Sequence, residues 1–294
     1  MDFDLAQLRA LEAAVDAGTL EAAARALHVT PSAVSQRLRA LEVATGRVLL
    51  VRSKPVRVTA SGEVVLRLAR QVGVLTAEAA VELGGEAPGA PPTVALAVNA
   101  DSLATWVLPA LAPLAGRVLL DVRREDQDRT GELLRAGTVT AAVTTEGRAL
   151  PGCRAVRLGA MRYRPMAAPA FAARWFPAGA TPGALATAPV VVFDRDDDLQ
   201  HRYLRGRLRE EPTPPVHRVP SSEGFGDAVR LGVGWGMLPD LQSAAAERAG
   251  EVVDLDPGGG VDVVLHWQQW RLRSAALDAV AEAVLAAARA RLLP

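Results

Sequence analysis

Nine consecutive residues, Gly84-Gly85-Glu86-Ala87-Pro88-Gly89-Ala90-Pro91-Pro92, include six that are glycine or proline. No regular helix or strand is expected to run through them, because proline lacks a backbone donor and glycine leaves the chain unconstrained. The break separates a shorter part, with apolar residues at helical spacing, from a longer part in which short apolar runs alternate with helical stretches. It reads as a hinge between separately built units. Half of the 294 residues are apolar, enough for two or three compact cores.

Charge is distributed just as unevenly. Basic and acidic residues number 33 each, which excludes binding to polyanions through bulk charge. Yet Arg25, Arg37, Arg39, Arg47, Arg52, Lys54 and Arg57 face a single acid, Glu42, in their stretch, and the remainder is net acidic. Such a local basic stretch is an electrostatic footprint for phosphates. The lone Cys153 forms no intrachain disulfide or paired-cysteine metal clip. The acidic start, Met1-Asp2-Phe3-Asp4-Leu5, is unlike a signal peptide, and every apolar stretch is interrupted before it could span a bilayer. A soluble, cytoplasmic protein is expected.

The residues around the arginines give the basic stretch its form. Leu5, Leu8, Leu11, Ala14 and Val15 predict a helix ended by Gly18. Thr19 caps a second, Ala-rich helix over Leu20 to Leu27, and His28-Val29 makes a turn. Thr30-Pro31 then supplies a cap followed by proline at the first helical position. The third helix runs to about Thr45, with Ala33, Val34, Leu38 and Leu41 inward and Ser32, Ser35, Gln36, Arg37 and Arg39 outward. Hydrogen-bonding side chains near an exposed helix N-terminus suit base edges and phosphates in a major groove. Leu49–Arg52 and Val56–Thr59, joined by Ser53-Lys54-Pro55, form a basic wing. The expected DNA-binding set is Thr30, Pro31, Ser32, Ser35, Gln36, Arg37, Arg39, Arg52 and Lys54.

Beyond Pro92, strand and helix signals alternate. Strands are expected at Val94–Val98, Val118–Val122, Ala141–Thr144, Val190–Phe193, Val216–Val219 and Met237-Leu238. Helices are expected near Ser102–Leu114, Thr130–Ala136, Leu199–Arg207 and Gly224–Leu231. Val263–Trp270 and a helix from Ser274 to Leu293 return to the first half. This is two α/β lobes joined by crossover strands, as in periplasmic binding proteins, with a ligand beyond the strand ends between the lobes. No Gly-x-Ser-x-Gly elbow or Walker loop occurs, and Gly232-Val233-Gly234-Trp235-Gly236 lacks the dinucleotide spacing. His28, His201, His217 and His266 are scattered without metal-ligand spacing. No enzyme, metal or cofactor is expected. A solute-binding protein would need no DNA-reading module.

Ala22-Ala23, Leu27, Thr30-Pro31-Ser32-Ala33-Val34-Ser35, Leu38, Leu41-Glu42 and the Thr59-Ala60-Ser61-Gly62 corner together resemble the N-terminal signature of LysR-type transcriptional regulators. Val98 to Trp106, Glu125-Asp126 and Leu150 to Cys153 are similar to the LysG/ArgP subgroup, regulators of lysine and arginine export. One departure is Leu50-Val51, where many members carry an aromatic. The resemblance implies a winged helix-turn-helix domain (1–60), a linker helix and hinge (61–91), and an effector domain (92–294). Lobe 1 would take about 92–161 and 266–294, and lobe 2 about 162–265. It also implies that Val65, Leu68, Val72, Leu75 and Ala79 pair the linker helix with its twin in a homodimer or homotetramer. The resemblance further implies double-stranded operator DNA and RNA polymerase as macromolecular partners and an amino-acid exporter gene as the target to be activated, with a different small metabolite as the alternative effector. Asn99, Ser102, Glu125, Asp126, Thr144, Asp194 and Glu223 are the expected effector residues. Hydroxyls of Ser102 and Thr144 would hold the α-carboxylate of lysine or arginine, and Glu125, Asp126 or Asp194 would lie near its side-chain charge.

Overall fold

Each of the first three helices begins on a side-chain cap. In the computed structural model, which describes residues 2–51, 53–83, 91–124, 130–208 and 213–294, Asp4 Oδ1 accepts from the Ala6 and Gln7 N–H groups at 2.8 and 3.1 Å and starts α1 (Leu5–Asp16). Thr19 accepts from Ala22 N–H at 3.2 Å and starts α2 (Leu20–Ala26). Thr30 accepts from Ala33 N–H at 3.1 Å and starts α3 (Pro31–Thr45), which Gly46 closes in the left-handed region at φ 62°. Leu8, Leu11, Val34, Leu38 and Leu41 bury together, while Ala33 stays half exposed. β1 (Leu50–Val51) and β2 (Arg57–Val58) pair antiparallel as the wing. Arg52 lies outside the described residues.

The long helix α4 (Ala60–Glu82) has two faces with different partners. Val65, 8% exposed, is buried with Leu66 and Ala69 in the core of the first three helices, and Val72 packs on the same core. Val65 is therefore withdrawn from the expected subunit seam, because its own domain already covers it. Leu68 is half buried, while Leu75 (43% exposed) and Ala79 face outward. The helix also touches the C-terminal part. Arg70 Nη1 donates to Ala136 O at 2.8 Å and Thr138 Oγ1 at 3.3 Å while Nη2 pairs with Asp16, and Ser274 donates to Glu78. The hinge residues 84–90 fall outside the described residues.

The C-terminal part begins with β3 (Thr93–Val98), followed by α5 (Ala100–Ser102), a π turn (Leu103–Val107), α6 (Leu108–Leu111) and a 3-10 turn (Ala112–Leu114). Then come β4 (Leu119–Arg124), α7 (Thr130–Ala136), β5 (Ala141–Thr144), β6 (Cys153–Ala167), α8 (Pro169–Trp175) and α9 (Pro182–Thr187). β7 (Val190–Val192), α10 (Leu199–Arg205), β8 (Val216–Arg218), α11 (Ser222–Arg230), β9 (Gly236–Pro239) and α12 (Asp240–Arg248) build the second lobe. β10 (Val253–Asp254), β11 (Val261–Trp270) and α13 (Ala275–Arg291) complete the chain.

Two of these strands organise the rest. β6 and β11 pair antiparallel from Cys153–Trp270 to Tyr163–Val261, with a bulge at Leu265/His266. One end of this ladder carries β5, β3 and β4, and the other carries β9 and β10, in a single mixed sheet. Strand–helix alternation alone predicts parallel pairing. That holds for β3–β4, β3–β5 and β7–β8, but the crossover strands are antiparallel. The expected lobe limits near 161 and 266 fall inside β6 and β11, which run unbroken between the lobes. Trp106, Trp235, Trp267 and Trp270 are all fully buried core residues.

Candidate effector cavity and DNA-reading face

On the first domain, burial of Val34, Leu38 and Leu41 fixes which side of α3 faces out. Ser32, Gln36 and Arg39 are exposed, and Ser35 and Arg37 are half buried. Thr30 and Pro31 are both exposed, the first capping the helix and the second occupying its first turn. Ser35, Ser53 and Lys54 line one recess of about 220 Å³ between α3 and the wing, so reading helix and wing tip share a face. Glu42 Oε1 accepts from Leu49 N–H at 2.9 Å, and Thr59 Oγ1 donates to Val48 O at 2.8 Å and accepts from Gly62 N–H at 3.0 Å. These bonds tie the wing to α3 and to the start of α4.

The second candidate site is a cavity of about 360 Å³ between the lobes, of a size for a small metabolite. Asn99, Ala100 and Asp101 enter it from the carboxyl end of β3, and the segment Phe193 to Arg202 from the carboxyl end of β7. Tyr163 and Val263, from the crossover strands, and Phe225, Met237, Pro239 and Gln242 complete the wall. Five carboxylates, from Asp101, Asp194, Asp196, Asp197 and Asp198, line it against one basic side chain, Arg202, among the described residues. Asp194 Oδ1 also accepts from the Asp196 and Asp197 N–H groups at 2.8 and 3.0 Å, so it shapes its own loop. Asp197 accepts from Phe193 and Leu199 N–H.

Asp101 is the most enclosed of these acids. Tyr163 OH donates to its Oδ2 at 2.8 Å and Ser222 Oγ to its Oδ1 at 2.7 Å. Burial pushes its carboxyl above the usual range, against the two hydroxyl hydrogen bonds that lower it, and nearby Asp197 adds to the rise. Tyr163 is raised well above its ordinary value, first by burial and then by the Asp101 charge. Two further acceptors on the wall, Asn99 Oδ1 and Gln200 Oε1, are buried without a partner among the described residues.

Of the expected effector residues, Asn99 and Asp194 reach this cavity. Ser102 does not: it is 0% exposed and off the wall, because one residue further along a helical turn carries it from the cleft into the lobe. Thr144, 4% exposed, accepts from Glu146 N–H at the end of β5, and Glu223 is exposed one residue beyond Ser222. Neither is on the wall. Glu125 and Asp126 lie outside the described residues. Asp101 is not among the expected residues, and its place at the same strand end as Asn99 is the signal that could find it. Gln200 had no sequence signal, since it is a buried polar side chain in a short helix. Among the described residues no cluster of three or more His, Cys, Asp or Glu is placed to hold a metal, and no helix is long and apolar enough to cross a membrane.

A DNA-reading face joined by a long helix to a two-lobed cavity defines a ligand-responsive transcriptional regulator. Residues 5–63 match the bacterial regulatory helix-turn-helix protein, lysR family, and residues 89–289 match the LysR substrate binding domain. The chain belongs to the LysR family, in its LysG/ArgP subgroup, and is a regulator, not an enzyme. It is 47% identical over 285 residues to the HTH-type transcriptional regulator LysG of Mycobacterium tuberculosis, spanning 96% of this chain and 92% of that one. The crystal structure of ArgP from Mycobacterium tuberculosis superposes with a TM-score of 0.92 at 45% identity, covering 99% of both chains. Full-length LysG from Corynebacterium glutamicum with bound effector Arg superposes with a TM-score of 0.84 at 40% identity, covering 99% of this chain and 100% of that one.

Proposed function

We propose that this regulator's hold on its operator answers to lysine or arginine, and that it activates an amino-acid exporter gene. The acidic cavity wall carries the proposal: five carboxylates line it, of which Asp198 is paired with Arg205, so a basic amino acid brings positive charge to an acid-rich wall and Arg202 would meet its α-carboxylate. Likeness to a LysG that holds Arg supports the same ligand class. Calorimetric titration of the full chain should show binding of lysine and arginine and no detectable binding of leucine. Equal binding of leucine would overturn the effector class and leave a LysR-family regulator of another metabolite.

In this scheme residues 1–60 read DNA, 61–91 link, and 92–294 bind the effector in the cytoplasm. Ser35 and Gln36 meet base edges, while Arg37, Arg39, Arg52 and Lys54 meet phosphates. Gln36→Ala should lower operator discrimination by about 1–3 kcal/mol. Lys54→Ala should instead weaken binding to all duplexes and reduce the slope of log K against log salt by about 1. Competition mobility shifts at several salt concentrations separate the two outcomes.

Paired readers suit a two-fold operator, and the outward side of α4, with Leu68, Leu75 and Ala79, supplies the pairing face of a homodimer or homotetramer. Leu75→Glu should give monomers with much weaker operator binding. Light scattering that still finds dimers at micromolar concentration would exclude this face. RNA polymerase is the partner through which a bound dimer acts.

A further inference from the structure

We infer that Asp101 receives a cationic nitrogen of the effector and, through Ser222, passes its presence to the second lobe. This rests on the proposal that the cavity takes a basic amino acid. Asp101 follows β3 in the first lobe, whereas Ser222 opens α11 in the second, so their 2.7 Å hydrogen bond crosses the cleft at the cavity wall. Tyr163, on the crossover strand β6, holds the other carboxylate oxygen. A carboxylate offers about four lone-pair positions. Two are occupied by these hydroxyls, which leaves room for a ligand donor without displacing either.

The surroundings point to a donor-rich ligand. Gln200 is 1% exposed, lines the same cavity and has an unpartnered carbonyl oxygen, and Asn99 adds a second. An ammonium brings three donors and a guanidinium five. Both carbonyl oxygens and the open positions of Asp101 are acceptors for such a group. The charges of the cavity agree: Asp197 adds negative charge beside Asp101, Asp194, Asp196 and Asp198 line the same wall, the last paired with Arg205, and Arg202 is the basic residue among the described lining. Burial raises the Asp101 carboxyl above its usual range, against the Ser222 and Tyr163 hydrogen bonds that lower it. A bound cation favours the charged carboxylate, to which a hydroxyl donates more strongly than to a neutral acid. The hydrogen bond from Ser222 thereby tightens, drawing the start of α11 toward the first lobe.

The full-length protein and two substitutions test this. Asp101→Asn keeps the shape and removes the charge, and should weaken lysine and arginine binding by about tenfold or more in calorimetry. Ser222→Ala should bind lysine more weakly than wild type, yet reach saturation at higher concentration. In the wild type, saturating lysine should slow amide hydrogen exchange over residues 222–228, and in Ser222→Ala that slowing should vanish. Wild-type binding of lysine or arginine combined with an unchanged affinity in Asp101→Asn, within threefold, would overturn the inference and leave the effector class standing. Equal slowing of exchange in Ser222→Ala would do the same, whether or not Asp101→Asn folds. Failure of the wild type to bind either amino acid would overturn the effector class itself.

Discussion

Gly62→Ala should abolish operator binding while leaving effector affinity within threefold of wild type. A Cβ at Gly62 would fall on the carbonyl oxygen of Leu49, with Val58 Cβ only 3.2 Å away. Both neighbours belong to the wing, and the first is backbone, which cannot swing aside as a flexible side chain would. Either α4 shifts or the wing moves away from α3. Overpacking of this kind costs about 1–3 kcal/mol even where side chains can give. The first domain is small, so such a loss is a large part of its stability. The glycine of the Thr59–Gly62 corner is therefore set by the crossing of α4 over β1. Mobility shifts on the protein's own promoter region and calorimetry with lysine check the two halves. Operator binding within threefold of wild type would show that the corner yields. Gly46→Asn is a useful contrast, since a Cβ there meets nothing within 4 Å and asparagine tolerates its positive φ.

The second large effect is expected in the second lobe. Arg164 Nε donates to Asp240 at 2.5 Å, Nη1 to Glu247 at 3.0 Å and Asp254 at 3.1 Å, and Nη2 to Glu247 at 2.7 Å. One guanidinium thus ties β6, α12 and β10. Arg164→Met leaves three carboxylates converging with only the weaker influence of Arg248 and Arg162 to offset them. It should destabilise the protein by about 1–2 kcal/mol near neutral pH, because Asp240 and Glu247 are partly solvated. Its pH dependence has a definite sign. The Arg164 hydrogen bonds hold the Glu247 carboxyl below its usual range. That contribution is present above the ordinary glutamate value and is lost as pH falls through the lowered one. In the variant the three acids repel one another and take up protons more readily, so acidification relieves them. The difference in unfolding temperature between variant and wild type should therefore shrink from pH 7 to pH 4.5. A constant difference would mean that the loss is one of packing around the Arg164 stem.

The helices of the first domain were legible because their signals are local. Caps, apolar spacing and Gly46 lie within a turn of the ends they specify. The side on which α4 would be covered was not legible: Val65 and Leu75 occupy the same apolar period, yet one packs on its own domain and the other faces outward. β6 escaped notice for a different reason. Gly159 and Pro165 interrupt it, and Arg154, Arg157, Arg162 and Arg164 break its apolar run, although it is the longest strand in the fold. The cavity was readable at the level of strand ends, which located Asn99 and Asp194. Choosing Asp101 over Ser102 requires the rotation of one helical residue, and finding Gln200 requires the packing of α10.

The ladder of β6 and β11 has a mechanical consequence. Two lobes joined by single loose strands would swivel, but these are mounted on paired strands running unbroken through both. Such a mount behaves as a beam: it bends, resists and springs back, and the bulge beside Leu265 and His266 interrupts its ladder. A beam has one rest position. Any second stable position has to be held by fastenings at its free margins, where Asp101 meets Ser222. The helix α4, whose 23 residues make a rod about 35 Å long, meets the C-terminal part at Ala136, Thr138 and Ser274. A small displacement at those contacts would be enlarged over the length of the rod.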